Sequence, residues 1–321
     1  RLEQSYGVSF AQLNPPVSML ARHGDELAAS LTASLKRLKP DVISNLNGRT
    51  ITYCYASAQA SAALGARYVM RIGGDDLAMK AEVLESNESG FSGTDSYYYL
   101  MLQERLAAER ANAIVVMSMR ERARLAAITR IREKVAVCYR GVDQSLFKCD
   151  GPRKGPARKF LYIGRKSPEK GYDILEAAAA RIWSRRSDIS FTFAGTFEKR
   201  EIENRRYVGY VGFQELPKIY ADHDAVIVCS RSEGLPQVLM EAMSMGLPCI
   251  VSRHLFEADF SDRHTALFIA CDPADLEAKI ELLASDEALY QSISQETLIN
   301  ALAKFSDAGM NAMYQSILLG E

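Results

Sequence analysis

The chain is poor in the residues that mark specialised proteins. Its six cysteines include no Cys-x-x-Cys pair, which removes the usual zinc-ribbon and dithiol frameworks. Cys138, Cys229 and Cys249 lie inside apolar strand patterns, while Cys54, Cys149 and Cys271 are scattered. Buried, reduced thiols of a cytoplasmic protein are therefore expected, with no disulfide frame, no metal and no cofactor. A formal net charge of -1 excludes a protein that binds nucleic acid through its charge as a whole. No apolar run approaches the length of a membrane span, and the opening residues carry no secretory-signal pattern. Only four histidines are present, His23, His223, His254 and His264, each expected first as a loop or surface residue.

What is present is an ordinary globular composition, 48% hydrophobic and 25% charged, over 321 residues, enough for two domains. Apolar runs alternate with helical stretches. Asp25 to Leu38 has helical spacing; Asp41 to Ser44, Ala66 to Ile72, Ala113 to Met117 and Val135 to Cys138 read as short buried strands. Further helices are expected around Tyr99 to Ala111 and Arg120 to Thr129. Lys148 to Lys159, rich in Gly, Pro and basic residues, reads as a linker. A second series of strands follows at Phe160 to Ile163, Ser190 to Ala194, Tyr207 to Val211, Ala225 to Cys229, Pro248 to Val251 and Ala266 to Ile269. Asp275 to Ile317 is helical in pattern, with breaks near Ser285 and Phe305. Such alternation predicts an α/β protein with parallel sheets covered on both faces.

Two segments carry chemistry. The strand ending at Ile163 runs into Gly164, Arg165, Lys166, Ser167, Pro168, Glu169, Lys170 and Gly171. This is not a Walker A loop, but Arg165 offers a planar fork and Lys170 a compact charge, both suited to phosphate oxygens. Ser167 followed by Pro168 has the form of an N-cap and first helical residue. Taken alone, a solvated basic turn is the plainer reading. Ser230 to Ser252, SRSEGLPQVLMEAMSMGLPCIVS, places Glu233 in a loop entering a helix and Glu241 on that helix, between two buried strands. Two carboxylates beside an anion-receiving helix end suit a ligand with hydroxyls at both ends and phosphates between them, such as a nucleotide sugar. The bland alternatives are a helix-start charge for Glu233 and an exposed helical position for Glu241.

Together, GRKSPEKGYDILEAA and SRSEGLPQVLMEAMSMGLPCIVS make the chain resemble the family-4 retaining glycosyltransferases of the GT-B fold, also grouped as glycosyl transferases group 1. YVGFQELPKIYADHDAVIVCS, KVAVCYRGVDQSLF and the tail KFSDAGMNAMYQSIL agree with that pattern. The resemblance is strong from about Ala113 onward and thin before Asp41. It implies two Rossmann-like domains facing each other across a cleft. Residues 1–150 would form the acceptor side and 151–304 the nucleotide-sugar side, with 305–321 a terminal helix packing back on the first domain.

By that resemblance Arg165 and Lys170 hold and stabilise the donor diphosphate, with Glu233 completing the catalytic set. Glu233 meets hydroxyls of the donor sugar, and Glu241 accepts from the ribose. Gly164, Gly234 and the backbone N–H groups of Leu235, Gln237 and Val238 line the sugar and phosphates, while Val211 and Phe213 lie beside the base. The implied activity is metal-independent transfer from a UDP- or GDP-sugar to a hydroxyl acceptor, in polysaccharide, glycolipid or small-molecule glycoside synthesis. A nucleotide-sugar-binding protein without transferase activity, or a nucleotide-sugar epimerase of the same fold, are the alternatives.

The first half departs from the family. A histidine commonly stands near Gly73, where this chain has Gly73, Gly74, Asp75 and Asp76. Asp75 or Asp76 would then meet acceptor or donor hydroxyls, with a simple turn the equal alternative. The sequence begins at Arg1 and at once resembles, in Gly7 to Leu13, a later strand of the family; a first strand and glycine-rich loop are expected to be missing. The polar stretch Ala78 to Ser96, followed by Tyr97, Tyr98 and Tyr99, has the composition of an acceptor loop, although core packing of the tyrosines is the plainer reading. Arg120, Arg122, Arg124, Arg130, Arg132 and Lys134 have the charge to dock weakly on the inner face of a membrane that presents a lipid-linked acceptor; a solvated helix face is the plainer reading.

Overall fold

The structure, a computed structural model, describes residues 24–45, 51–72, 93–126, 131–260 and 265–321. It divides into two compact units, Arg1–Cys138 with Tyr314–Glu321, and Tyr139–Met313.

In the first unit, strands β1 (Val42–Ser44), β2 (Arg67–Arg71), β3 (Ala113–Val116) and β4 (Val135–Val137) form a parallel sheet in chain order. Helices α1 (Gly24–Leu35), α2 (Ile51–Leu64), α3 (Gly93–Arg110) and α4 (Met119–Ala126) precede or connect them. The central strands carry runs of buried residues, Tyr68, Val69 and Met70 beside Ile114, Val115 and Val116, as a sheet covered on both faces demands. Helix α2 buries Cys54, Ala56, Ala58 and Ala60 and packs against α1 and α3; its small side chains let the neighbouring backbones come close. Residues Tyr314–Glu321 are tied to this unit by Ser44 Oγ and Tyr314 Oη at 3.2 Å, and by Arg67 donating to the Ile317 carbonyl at 3.3 Å.

The second unit holds a seven-stranded sheet ordered β11-β10-β9-β5-β6-β8-β7. Its strands are β5 (Lys159–Ile163), β6 (Ser190–Ala194), β7 (Lys199–Ile202), β8 (Arg205–Gly209), β9 (Ala225–Val228), β10 (Cys249–Ser252) and β11 (Leu267–Ile269). All pairs are parallel except β7 with β8. Period-two alternation sorts the side chains into two layers. Phe160, Phe191, Phe193, Tyr207 and Ile227 pack with α5 (Tyr172–Trp183); Leu161, Val226, Val228 and Val251 pack on the other side. The second layer receives α7 (Gln237–Ser244) and α8 (Arg253–Phe260), which follow the short α6 (Leu216–Ala221).

The C-terminal helical stretch breaks where expected, into α9 (Pro273–Ser285), α10 (Glu287–Lys304) and α11 (Asp307–Leu319). Two expectations needed adjustment. The strand read at Tyr207 to Val211 lies two residues earlier, because Arg205 and Arg206 pair with β7. The strand β7 itself was not expected, since all four of its residues are exposed and give no apolar face. The segment Lys148 to Lys159 is packed on the second unit, with Arg153 N donating to Ser294 Oγ (2.7 Å) and Ala157 N to the Leu283 carbonyl (2.9 Å). Among the described residues, no helix is long and apolar enough to cross a membrane.

Candidate functional site

Strand β5 is followed by β6 on one side of it in the sheet, and the chain later returns to lay β9 on the other side. The carboxyl ends of β5 and β9 therefore flank a topological switch point, where open α/β sheets bind ligands. Both motif loops leave the sheet here.

The first loop begins at Gly164, whose N–H donates to the Ala194 carbonyl at 3.0 Å. A single 3-10 turn, Pro168–Lys170, follows; Ser167 stands before it, but its hydroxyl caps nothing, contrary to the expected N-cap. The α-helix starts only at Tyr172, behind Gly171 in the left-handed region (φ 66). A Cβ at Gly171 would lie 1.9 Å from the Cys229 carbonyl oxygen, so glycine is required for this loop to touch the end of β9.

The second loop, Ser230 to Pro236, is knitted to the first. Arg231 N donates to the Glu169 carbonyl at 2.8 Å, and its guanidinium forks onto Asp173 with two bonds of 2.6 Å. Hydrogen bonds from Arg231 hold the Asp173 carboxyl below the usual range. Lys170 Nζ pairs directly with Glu233 Oε1, and Ser230 Oγ donates to Glu233 Oε2 at 2.8 Å. The pair is largely enclosed, with the two side chains 23% and 17% exposed. Arg165, by contrast, is 64% exposed and pairs with Glu169 on its own loop. The family resemblance implies separate tasks for Lys170 and Glu233; their direct contact was not foreseen, nor were Ser230, Arg231 and Asp173 as the braces that hold them.

Glu241 sits on α7 with 2% of its surface exposed, so the bland alternative of an exposed helical position is excluded. Tyr220 Oη donates to Glu241 Oε2 at 2.8 Å. Burial pushes the carboxyl up to about 7, against the hydrogen bonds from Tyr220 and Gln237 and the charge of Arg140, which pull it down. The signal was legible: α7 reads QVLMEAMS, with few polar positions, and a helix apolar all round is buried.

Around these groups, Gly234 is half-buried and Leu235 is buried in the core, leaving its backbone as its contribution. The helix begins at Gln237, with Pro236 in the N-cap position, and no side chain caps it. Gln237 Nε2 also reaches the Gly141 carbonyl (3.1 Å), and Val238 packs against the second core layer. Val211 is half-buried, while Phe213 is exposed and meets Phe147 edge-on at 5.6 Å. Gly73, Gly74, Asp75 and Asp76 lie outside the described residues, as do His23, His264 and Arg130. His223 stands in a loop, as expected, but is buried there, with Nδ1 2.6 Å from the Ile219 carbonyl. Of the basic stretch, Arg124 forks onto Glu104, and Lys134 donates to the Glu109 and Ala111 carbonyls.

Two Rossmann-like units on one chain, with the loops of one gathered at its switch point, define the GT-B class of fold. Solved structures agree. HepE from Anabaena in complex with UDP superposes with a TM-score of 0.72 at 17% identity, over 92% of this chain and 82% of that one. Sucrose-phosphate synthase from Thermosynechococcus elongatus gives 0.68 at 18% identity, over 94% and 79%. The model of the family described as glycosyl transferases group 1 matches residues 145–298. Among curated relatives, a glycogen synthase of Mycobacterium tuberculosis is 28% identical over 173 residues, 49% of this chain and 42% of its own length. Mannosylfructose-phosphate synthase of Agrobacterium fabrum is 25% identical over 181 residues, 50% of this chain and 40% of its own. The matched stretch thus spans less than half the length of these relatives.

Proposed function

We propose that the chain is a retaining glycosyltransferase that moves a sugar from a nucleoside diphosphate donor to a hydroxyl acceptor. The observation that carries this reading is the Lys170–Glu233 pair at the switch point. A cation and a carboxylate side by side suit the place where a diphosphate and the hydroxyls of its sugar would meet. In the reaction the bond from the anomeric carbon to the diphosphate breaks, and the leaving oxygens gain charge. Lys170 and the exposed Arg165 neutralise that charge, the largest contribution such side chains can make. The acceptor oxygen bonds to the anomeric carbon on the face the diphosphate leaves, and the departing diphosphate takes the acceptor proton.

Glu233 would orient the sugar hydroxyls, and Glu241 would accept from the ribose. A UDP-sugar donor is supported by the UDP and UDP-glucose complexes of HepE, a neighbour in fold. The test is a thermal-shift panel of UDP-, GDP-, dTDP- and ADP-sugars, then transfer assays with the stabilising donor, with and without chelator. Product of retained anomeric configuration, unaffected by chelator and lost in Lys170→Ala and Glu233→Ala, is expected. Product of inverted configuration, or an isomerised donor without transfer, would overturn the reading.

A further inference from the structure

At the same carboxyl edge, beyond β9, stands a cysteine–histidine arrangement that the proposed transfer does not use. Cys271 follows β11, and its Sγ lies 3.7 Å from His254 Nδ1 at the start of α8. The other ring nitrogen, Nε2, is 2.8 Å from the Arg231 carbonyl oxygen. A carbonyl only accepts, so Nε2 carries the proton in neutral His254 and Nδ1 faces the sulfur as a bare acceptor. The hydroxyl of Ser252, fully buried, lies 3.3 Å from the same sulfur. A base in the correct tautomer and a hydroxyl oxygen that accepts from sulfur thus converge on one half-buried thiol, the arrangement of base and thiol that activates sulfur nucleophiles.

We propose that Cys271 is a nucleophilic thiol, activated by His254, that exchanges with small-molecule disulfides. The thiol proton passes to His254 Nδ1 and the sulfur attacks one sulfur of the disulfide. A mixed disulfide forms at Cys271, the original sulfur–sulfur bond breaks, and the released thiolate takes up the proton. Among the described residues, the other ionisable groups named here are partnered or buried. Arg231 is held by Asp173, Arg253 pairs with Glu257, and Cys229 is buried, its thiol pushed up to about 12 by that burial. Asp272 caps α9, and Asp275 accepts from Ala270 N.

The arrangement bears on the first site through backbone. His254 rests on the Arg231 carbonyl and Cys271 Sγ lies 3.8 Å from the Ser230 carbonyl, two residues that lead directly to Glu233. A group added at Cys271 would displace this stretch and weaken donor binding. That consequence, unlike the thiol chemistry, rests on the function proposed above.

The experiment treats the native chain with 5,5′-dithiobis(2-nitrobenzoic acid) or glutathione disulfide at neutral pH and maps the modified cysteine by mass. Cys271 is expected to react roughly tenfold or more faster than half-buried Cys149. His254→Asn should remove the advantage and recover the rate only at alkaline pH, with folding checked by thermal midpoint. Reaction of Cys271 no faster than Cys149 in the unmodified sequence would overturn the proposal without recourse to a variant, as would an unchanged rate and pH profile in His254→Asn. Labelling as expected with unchanged donor binding would retain the thiol chemistry and remove its link to the Glu233 loop.

Discussion

Glu233 and Glu241 belong to one short segment and stand in opposite electrostatic surroundings. Glu233 lies in a loop and meets the cation of Lys170, so its charge has a partner before any ligand arrives. Glu241 lies on an apolar helix, receives neutral donors from Tyr220 and Gln237, and is pushed up to about 7 by burial. The first is a carboxylate whose charge is answered by the protein; the second has its charge discouraged by its surroundings. A ligand at this edge would compete with Glu233 for Lys170, whereas hydroxyls offered to Glu241 would supply donors that favour its ionised form.

The largest expected effect tests the Glu233 side. Lys170→Ala should lower transfer by about 10²- to 10³-fold, as loss of one electrostatic contact to developing charge does elsewhere. A turnover assay showing less than about a tenfold loss would remove the pair from the chemistry. Next comes the glycine that brings the two loops together. Gly171→Ala places a Cβ against the Cys229 carbonyl in a left-handed backbone, and should destabilise the fold by about 3 kcal/mol in urea unfolding.

Glu241 supplies the contrast. Its carboxyl rises from 4.5 to about 7 on folding, so between those values the folded chain holds a proton that the unfolded chain has released. Stability from this group is complete below about 4.5, falls as pH rises through about 7, and stays low above it. Glu241→Gln should flatten that slope and stabilise the chain at pH 8 by up to about 3 kcal/mol, measured by denaturant midpoint across pH. An unchanged slope would mean that the two glutamates do not differ as described. The smallest effect is expected from Tyr220→Phe, which removes the 2.8 Å bond to Glu241. It should destabilise by about 1 kcal/mol and move the Glu241 carboxyl further up, a shift readable by NMR titration.

Much of this was legible in the residues. Ser190 to Ala194 is an uninterrupted strand whose bounds match the structure, because a buried parallel strand advertises itself by apolar content. The motif loops were placed at the correct sheet edge from strand–loop–helix order alone. What could not be read were contacts across sequence distance. Nothing in the spacing of Lys170 and Glu233 says that they touch, and Tyr220 lies on another helix from the carboxyl it serves. Burial of Glu241 follows from the helix around it, but its pairing does not. Strand β7 was invisible for a different reason: a strand exposed on every residue has no alternation to detect.

That strand has its own consequence. Among the described residues, no strand pairs with the outer edge of β7, so its backbone offers an open row of donors and acceptors to any other extended chain. Lys199, Arg200 and Glu201 occupy three of its four positions, and covering these hydrated charges with a second strand is costly. Protection against sheet-to-sheet aggregation thus rests on charge along one short edge, a property separate from both stability and chemistry.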